Sequence, residues 1–314
     1  MKLVVAFFRL IRLPNLFFIA LTQLLFHYCI IQPIFNKREA DPVFGNTFLL
    51  LLILSSVLIA AAGYIINDYF DINIDQVNKP RMNVVDKIIS RRWAMLWHSA
   101  LSFAGVAIGF YLGWKLGIFW LGLMIFFCSV LLFVYSTTFK KQLLSGNLII
   151  SLLTAWSVAV LGLSTFYFVY NHSAVYPDIE NSKLLKFTIL YAAFAFIISL
   201  IREAIKDMED LPGDAKYGCR TMPIVWGINA TKVYTAVWLW VLTGALLVTQ
   251  FYLLQYKWWW PVIYGFVFIT SLCVIILKNL FKASKPEDFH RLSNYSKLVM
   301  LIGILSMIFF YFYL

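Results

Sequence analysis

The sequence predicts an all-α, polytopic membrane protein, and three observations predict it. The chain of 314 residues is 62% hydrophobic and only 13% charged, with a mean hydropathy of +0.81. Its apolar residues form repeated runs of about twenty residues, which is the length that an α-helix needs to cross a bilayer. The segments between these runs are too short to hold a soluble domain. We therefore expect a single transmembrane domain over residues 1–314, with its helices arranged around a central cavity.

Nine apolar runs are predicted to cross the membrane. They lie at residues 15–32, 47–66, 94–113, 117–135, 148–168, 187–204, 233–251, 259–278 and 296–314. The first run has the length of a signal-peptide core, but no small-residue cleavage site follows it, so we expect it to stay as an anchor. The four cysteines and four histidines are scattered without metal-ligand spacing, which indicates neither a disulfide framework nor a zinc site.

The basic residues predict the orientation in the membrane. If the N-terminus and the loops after the second, fourth, sixth and eighth runs share one side, that side carries all but six of the 26 lysines and arginines. The positive-inside rule makes it the cytoplasmic side, in the cell membrane of a bacterium or archaeon. The net charge of +11 follows from this bias and from attraction to anionic lipid or substrate. It predicts no nucleic-acid partner, and no protein partner is predicted either.

Carboxylates concentrate in two short segments, each at the end of a long apolar run. The first acidic segment, residues 67–75, contains Asp68, Asp71 and Asp75. The second acidic segment, residues 202–214, contains five carboxylates: Glu203, Asp207, Glu209, Asp210 and Asp214. Carboxylates within or beside a bilayer are costly and are usually functional. The second segment follows the first by four runs, which indicates two four-helix halves plus one extra helix.

Helical geometry places several oxygen-bearing side chains of each segment on one face, because residues three and four apart are neighbours on a helix. The predicted stripes are Asn67, Asp71 and Asp75 in the first segment, and Asp207, Asp210 and Asp214 in the second. Magnesium prefers one or two carboxylates together with substrate phosphates. We therefore predict that these six residues bind Mg²⁺ around a diphosphate. Two solvated helix ends, paired with nearby lysines and arginines, are the alternative.

The motifs resemble those of the UbiA-type intramembrane prenyltransferases. Asn67-Asp68-x-x-Asp71-x-x-x-Asp75 resembles the first family signature. A stretch of the second acidic segment and the residues after it resembles the second family signature: Lys206-Asp207-x-Glu209-Asp210-x-x-Gly213-Asp214-x-x-x-Gly218-x-x-Thr221-x-Pro223. In the loop after the fourth run, Tyr135-Ser136-x-x-x-Lys140, followed by Gly146-Asn147, resembles an element that contacts the diphosphate. Arg12-x-Pro14-Asn15 resembles the opening of the family's first helix.

This resemblance implies Mg²⁺-dependent transfer of a prenyl group from a prenyl diphosphate to a lipid-soluble acceptor, at a site that faces the cytoplasm. It implies that four carboxylates are catalytic: Asp71, Asp75, Asp210 and Asp214. The residues that it implies for diphosphate binding are Arg12, Asn15, Lys79, Arg81, Tyr135, Ser136, Lys140 and Lys206. Membrane lipids are the remaining expected partners.

The acceptor is predicted from the particular residues that make up the two motifs. They are most similar to the family branch that transfers a geranylgeranyl group to the free hydroxyl of geranylgeranylglyceryl phosphate. Residues 81–87 depart from the Arg-Pro-x-Pro-x-Gly-like stretch that usually follows the first signature, so an aromatic acceptor, as in quinone biosynthesis, stays open. A cation-coupled transporter is the alternative from another class, although its coupling site is expected near the middle of the bilayer.

Overall fold

The structure, a computed structural model, describes residues 2–36, 42–78, 84–177 and 179–314. These residues form an all-α fold, and nine of their helices are long and apolar enough to span a membrane, as predicted. The nine helices are α1 (Leu13–Asn36), α2 (Asn46–Phe70), α3 (Arg91–Lys115), α4 (Phe119–Thr137), α5 (Ser145–Asn171), α6 (Asn181–Glu209), α7 (Ile228–Gln255), α8 (Trp259–Leu280) and α9 (Pro286–Tyr313).

The helices extend beyond the predicted apolar runs, because hydropathy does not detect polar helix ends. The clearest case is α9, which begins at Pro286 although the apolar run begins at 296. A carboxylate caps this start, since Asp288 Oδ2 accepts hydrogen bonds from the backbone N–H groups of Ser284 and Lys285, both at 3.1 Å. Such caps satisfy N–H groups that have no partner inside the helix.

Both acidic segments contain the same break in the helix. The long helix α2 ends at Phe70, Asp71 caps it with φ −90° and ψ 2°, and the short helix Ile72–Asn78 follows. In the second segment, α6 ends at Glu209 and Asp210 caps it with φ −87° and ψ 1°. The short helix Leu211–Lys216 then follows. The predicted stripes assumed uninterrupted helices, so the break changes the directions of the side chains that follow it.

Buried apolar residues of the described helices pack into three clusters. One cluster lies where α1, α2, α4 and α5 meet, and another joins α6 to α7, α8 and α9. A third cluster lies beneath the N-terminal helix Lys2–Leu10 and includes Leu10, Ile65, Ile72 and Val85. Because this third cluster buries Ile72, it anchors the short helix that carries Asp75.

Candidate active site

Asp71 lies at the centre of the candidate site. It is 1% exposed, and its Oδ2 accepts hydrogen bonds from Asn67 Nδ2 at 2.9 Å and from the Lys140 ammonium group. Its Oδ1 is buried with no hydrogen-bond partner among the described residues, and so is Oδ1 of Asn67. Two buried oxygens without donors indicate a place for a positively charged group.

Lys140 reaches Asp71 from the connection between α4 and α5. It lies in the short 3₁₀ turn Phe139–Lys141, and its side chain is 30% exposed. Gly146 permits this turn to pack against the start of α5, because a Cβ there would lie 2.9 Å from the Phe139 carbonyl oxygen and 3.1 Å from Lys140 Cα. Burial by itself lowers the pKa of the Lys140 ammonium, but the negative charge of Asp71 raises it above its ordinary value. The ammonium group is therefore held in its charged form.

A second contact joins the start of α5 to the second acidic segment. Asn147 is 8% exposed, and its Nδ2 donates to Asp207 Oδ2 at 2.9 Å. The backbone N–H of Arg220 also donates to the Lys141 carbonyl oxygen at 2.8 Å. The connection between α4 and α5 therefore contacts the first acidic segment through Lys140, and the first turn of α5 contacts the second through Asn147.

Asn78 links the two acidic segments directly. Its Nδ2 donates to the Asp210 carbonyl oxygen at 3.0 Å, and its Oδ1 accepts from the backbone N–H of Gly213 at 2.8 Å. An added Cβ at position 213 would lie 2.5 Å from the Asn78 amide atoms, so a side chain there would displace the Asn78 amide. We call this pair of hydrogen bonds the Asn78 link.

Arg12 joins the start of α1 to the first acidic segment. It adopts a left-handed conformation with φ 51°, and it donates to Asp68 Oδ1 at 2.7 Å. Its guanidinium lies over the Tyr64 ring, 5.1 Å from the centroid. Burial by itself lowers the pKa of Arg12, but the charge of Asp68 raises it above its ordinary value. The Asp68 carboxylate is thus paired with the Arg12 guanidinium.

The structure places the other predicted residues as follows. The negative charge of Asp75 acts on both Lys140 and Arg12. Asp214 is 8% exposed, and its backbone N–H donates to the Asp210 carbonyl oxygen at 3.2 Å. The Asp214 carboxylate acts electrostatically on Asp207 of the same stripe.

Among the residues predicted to contact a diphosphate, Tyr135 lies in the electrostatic field of both Lys140 and Asp71. Ser136 is buried and donates to Leu132 within its own helix. Lys206 bonds to Glu203, with the closer oxygen at 3.1 Å.

The remaining predicted residues are Asn15, Lys79 and Arg81. Asn15 is half-buried in the first turn of α1, where its backbone N–H donates to Arg12. Lys79 and Arg81 lie outside the described residues. Glu209, a carboxylate of the second acidic segment outside the predicted stripe, hydrogen-bonds His290 of α9 at 2.8 Å.

Sequence reasoning identified the carboxylates and missed the two amides that organise them. Neither Asn78 nor Asn147 was among the predicted site residues, yet each bonds to the second acidic segment. An asparagine at the end of an acidic motif and a Gly-Asn pair after a lysine were the available signals. Within the described ranges, no three His, Cys, Asp or Glu side chains converge as a ready-made metal cage. The six predicted metal ligands stay a prediction.

The described residues form nine apolar helices of membrane-spanning length. Carboxylates, amides and a lysine meet at one end of these helices. These features define a polytopic membrane protein with an oxygen-rich polar site. The chain belongs to the UbiA prenyltransferase family, whose model matches residues 39–298. It is therefore an integral membrane prenyltransferase, as the motifs predicted.

Two relatives extend this result. A digeranylgeranylglyceryl phosphate synthase of Methanosphaera stadtmanae is 28% identical over 276 residues, which cover 84% of this chain and 89% of that protein. A digeranylgeranylglyceryl phosphate synthase of Sulfurisphaera tokodaii is 30% identical over 301 residues, which cover 94% of this chain and 96% of that protein.

Solved structures share the fold. A digeranylgeranylglyceryl phosphate synthase structure superimposes with a TM-score of 0.67, at 22% identity and with 100% of both chains covered. A UbiA homologue of Archaeoglobus fulgidus, solved with DMAPP and Mg²⁺ bound, superimposes with a TM-score of 0.57 at 16% identity. This second match covers 96% of the present chain and 98% of the homologue.

Proposed function

We propose that the chain transfers a geranylgeranyl group from its diphosphate to the free hydroxyl of geranylgeranylglyceryl phosphate, with Mg²⁺ as cofactor. The observation that carries this proposal is the contact of Lys140 with Asp71, beside two acidic segments that Asn78 joins. A diphosphate with a divalent cation needs this combination of oxygen ligands and a positive side chain. The names of the two relatives favour this acceptor.

The residues at the site fit a bound Mg²⁺. Asp71 Oδ1 and Asn67 Oδ1 are buried oxygens without a hydrogen-bond donor in the described part of the chain, and hard cations bind such oxygens. When bound, the ion would neutralise the diphosphate and make it a better leaving group. We propose that its protein ligands come from the six residues of the stripes: Asn67, Asp71, Asp75, Asp207, Asp210 and Asp214.

The chain's own residues would bind and orient the donor. Lys140 is charged and half-buried, so it can exchange its bond with Asp71 for charge-assisted hydrogen bonds to the diphosphate. Tyr135 lies in the electrostatic field of Lys140 and can contact the same oxygens. The isoprenoid tail is apolar and would lie among the spanning helices. As the allylic carbon–oxygen bond breaks, the electron pair leaves with the diphosphate. The acceptor oxygen would form the new ether bond, and its hydroxyl proton would pass to the departing diphosphate.

The position of the site supports an enzyme over a transporter. The acidic segments follow the ends of α2 and α6, whereas coupling sites of transporters lie near the middle of the bilayer. We also propose that this end faces the cytoplasm, because the loops at this end carry most of the basic residues.

Transfer assays with the purified protein in lipid nanodiscs test this function. Radiolabelled geranylgeranyl diphosphate and geranylgeranylglyceryl phosphate should give a labelled ether lipid with Mg²⁺ and none with a chelator. Asp71→Asn should lower kcat/KM by about 100-fold or more, because it removes a charge at the reacting group. Asp86→Asn is the matched control, since Asp86 is exposed and pairs with Arg91 outside the site.

The possible results separate the parts of the proposal. Product from an aromatic acceptor, with none from geranylgeranylglyceryl phosphate, would overturn the acceptor. Full wild-type turnover in metal-free buffer would overturn the role of Mg²⁺. An equal loss of activity in the Asp71 and Asp86 variants would contradict the assignment of the site.

A further inference from the structure

An apolar helix precedes the first spanning helix, and the rest of the protein covers only one side of it. This helix, Lys2–Leu10, ends two residues before α1 begins at Leu13. Ala6 is 3% exposed and Leu10 is fully buried, and both pack into the cluster that also contains Ile72. The side of the helix that carries Ala6 and Leu10 therefore faces the protein, and we call it the inner face.

The opposite side of this helix is apolar and exposed. Val4 is 58% exposed, Val5 is 57% exposed and Phe8 is 45% exposed. At about 100° per residue these three side chains occupy an arc of about 100°, which lies opposite the inner face. We call Val4, Val5 and Phe8 the outer face. A helix that is apolar on opposite sides is normally covered on both. The outer face therefore requires an apolar partner.

Neighbouring aromatic rings place this helix at the depth of a membrane–water interface. The Phe7 ring lies 5.2 Å, between centroids, from the ring of Trp97, which belongs to the second turn of α3. Trp97 is 38% exposed, and Trp93, one turn closer to the start of α3, is 54% exposed. Tryptophans are enriched where spanning helices enter the bilayer. The helix that contains Phe7 therefore lies at the level of the lipid headgroups and the upper acyl chains.

Lipid also reaches the start of α1, close to the end of this helix. Leu13 and Phe17 lie in the first two turns of α1, and they are 47% and 61% exposed. Exposed apolar side chains on a spanning helix contact lipid chains. Leu13 follows Leu10 by three residues, so their Cα atoms lie within about 11 Å of one another. The lipid around α1 is therefore within reach of the preceding helix.

The basic residue of this helix lies at the edge of the outer face. Arg9 is exposed, and it follows Val5 by about 40° around the helix axis. An arginine can lay its apolar stem along lipid chains while its guanidinium reaches the phosphate groups. Helices that lie in the plane of a membrane have this combination of an apolar face and basic residues beside it.

We propose that the helix Lys2–Leu10 lies in the plane of the membrane surface, with its outer face among the upper acyl chains and Arg9 at the lipid phosphates. Its partner is the bilayer that surrounds the protein. The inner face packs with Ile72, the first residue of the short helix that carries Asp75. Docking of the outer face on lipid therefore stabilises the position of the first acidic segment. This inference is independent of the reaction and of the acceptor.

A fluorophore on a single introduced cysteine tests the position of the outer face. Val4→Cys is labelled with an environment-sensitive dye in nanodiscs of phosphatidylcholine and phosphatidylglycerol, with ordinary or brominated acyl chains. The four native cysteines are buried, and the labelled wild type measures their background. Phe17→Cys is the control for lipid, and Glu287→Cys, at an exposed position in the first turn of α9, is the control for water.

The label at position 4 should behave like the label at position 17, with blue-shifted emission that brominated lipid quenches. Emission that matches position 287, with quenching by iodide in the water, would overturn the proposal. Blue-shifted emission that brominated lipid does not quench would show that protein, such as a second copy of the chain, covers the outer face. That result would also overturn the proposal.

Amide hydrogen exchange tests the link from the outer face to the acidic segment, without any activity measurement. Val4→Asp places a charge on the outer face, and Val4→Leu is the matched control that keeps it apolar. Exchange over residues 3–10 should be up to about a hundredfold faster in Val4→Asp, the factor expected when an apolar side chain loses its burial. Exchange over Ile72–Asn78 should become faster as well, and Val4→Leu should match the wild type in both segments. Unchanged exchange of residues 3–10 in Val4→Asp would overturn the docking, and unchanged exchange of residues 72–78 would overturn the link.

Discussion

The Asn78 link is the contact whose removal tests the assembly of the site most directly. Asn78 ends the short helix after the first acidic segment, and both of its hydrogen bonds go to the backbone of the second. Asn78→Ala removes both bonds and leaves the side chains of all six predicted metal ligands unchanged. We expect the two segments to lose their common register, so that binding of Mg²⁺ with the diphosphate weakens.

The size of the effect follows from the two bonds. A hydrogen bond of this type contributes about 1 kcal/mol net, so the pair contributes about 2 kcal/mol. This corresponds to a factor of about 30 in an equilibrium constant. The loss should appear as an increase of up to about 30-fold in the Mg²⁺ concentration that gives half-maximal turnover, because more of the binding energy is then used to bring the segments together.

The assay is a Mg²⁺ titration of transfer at saturating donor and acceptor. Asn73→Ala is the matched control, since Asn73 is an exposed asparagine on the same short helix. A merely structural role of Asn78 would lower the amount of folded enzyme without changing its Mg²⁺ dependence. If the Asn78 variant gives the same half-maximal Mg²⁺ concentration as the Asn73 variant, the reasoning is refuted.

Three other predictions concern the same end of the bundle. Gly213→Ala should lower activity about as strongly as Asn78→Ala, because the added Cβ displaces the Asn78 amide. Gly244→Ala is the control and should keep its activity, since the space around Gly244 is open. Equal activities of the two glycine variants would contradict this prediction. Because the pKa of Lys140 is raised, its ammonium group stays charged at every pH below the ordinary pKa of 10.5. The contribution of this charge to donor binding is lost only as the pH rises beyond that value. Donor KM measured against pH should therefore be flat up to about pH 10, and weakening with a midpoint at or below 10.5 would show that the pKa is not raised. A cysteine at position 140 should react with an impermeant thiol reagent only from the cytoplasmic face and less when prenyl diphosphate is bound, and labelling from outside intact cells would overturn the orientation.

The sequence by itself determined the nine spans and the chemical character of the site. A run of about twenty apolar residues is a helix across a bilayer whatever its neighbours are, because every backbone polar group must be satisfied within the segment. Carboxylates are rare in such a chain, so the two segments that contain Asp71 and Asp210 could be recognised at once. The family followed from these motifs, since they combine residue types that bind a metal and a diphosphate.

Tertiary structure decided which side chains meet. Asn78 contacts a backbone group 132 residues away, Lys140 contacts a carboxylate 69 residues away, and Asn147 contacts one 60 residues away. Hydropathy reports the preference of each residue for lipid or water, and it carries no information on which helices become neighbours. The helix breaks at Asp71 and Asp210 were equally hidden, because both residues continue an acceptable helical pattern in the sequence.

The same division applies to Lys297, on which the charges of Arg202 and Lys206 act. In the sequence, Lys297 is one lysine in the last apolar run, almost a hundred residues after Arg202, and nothing relates the two. Only the packing of α9 against α6 brings their charges together, with Glu203 as a shared partner for two of the three cations. Charges that lie far apart in the chain interact strongly only when folding removes the water between them, and this depends on the three-dimensional arrangement of the helices.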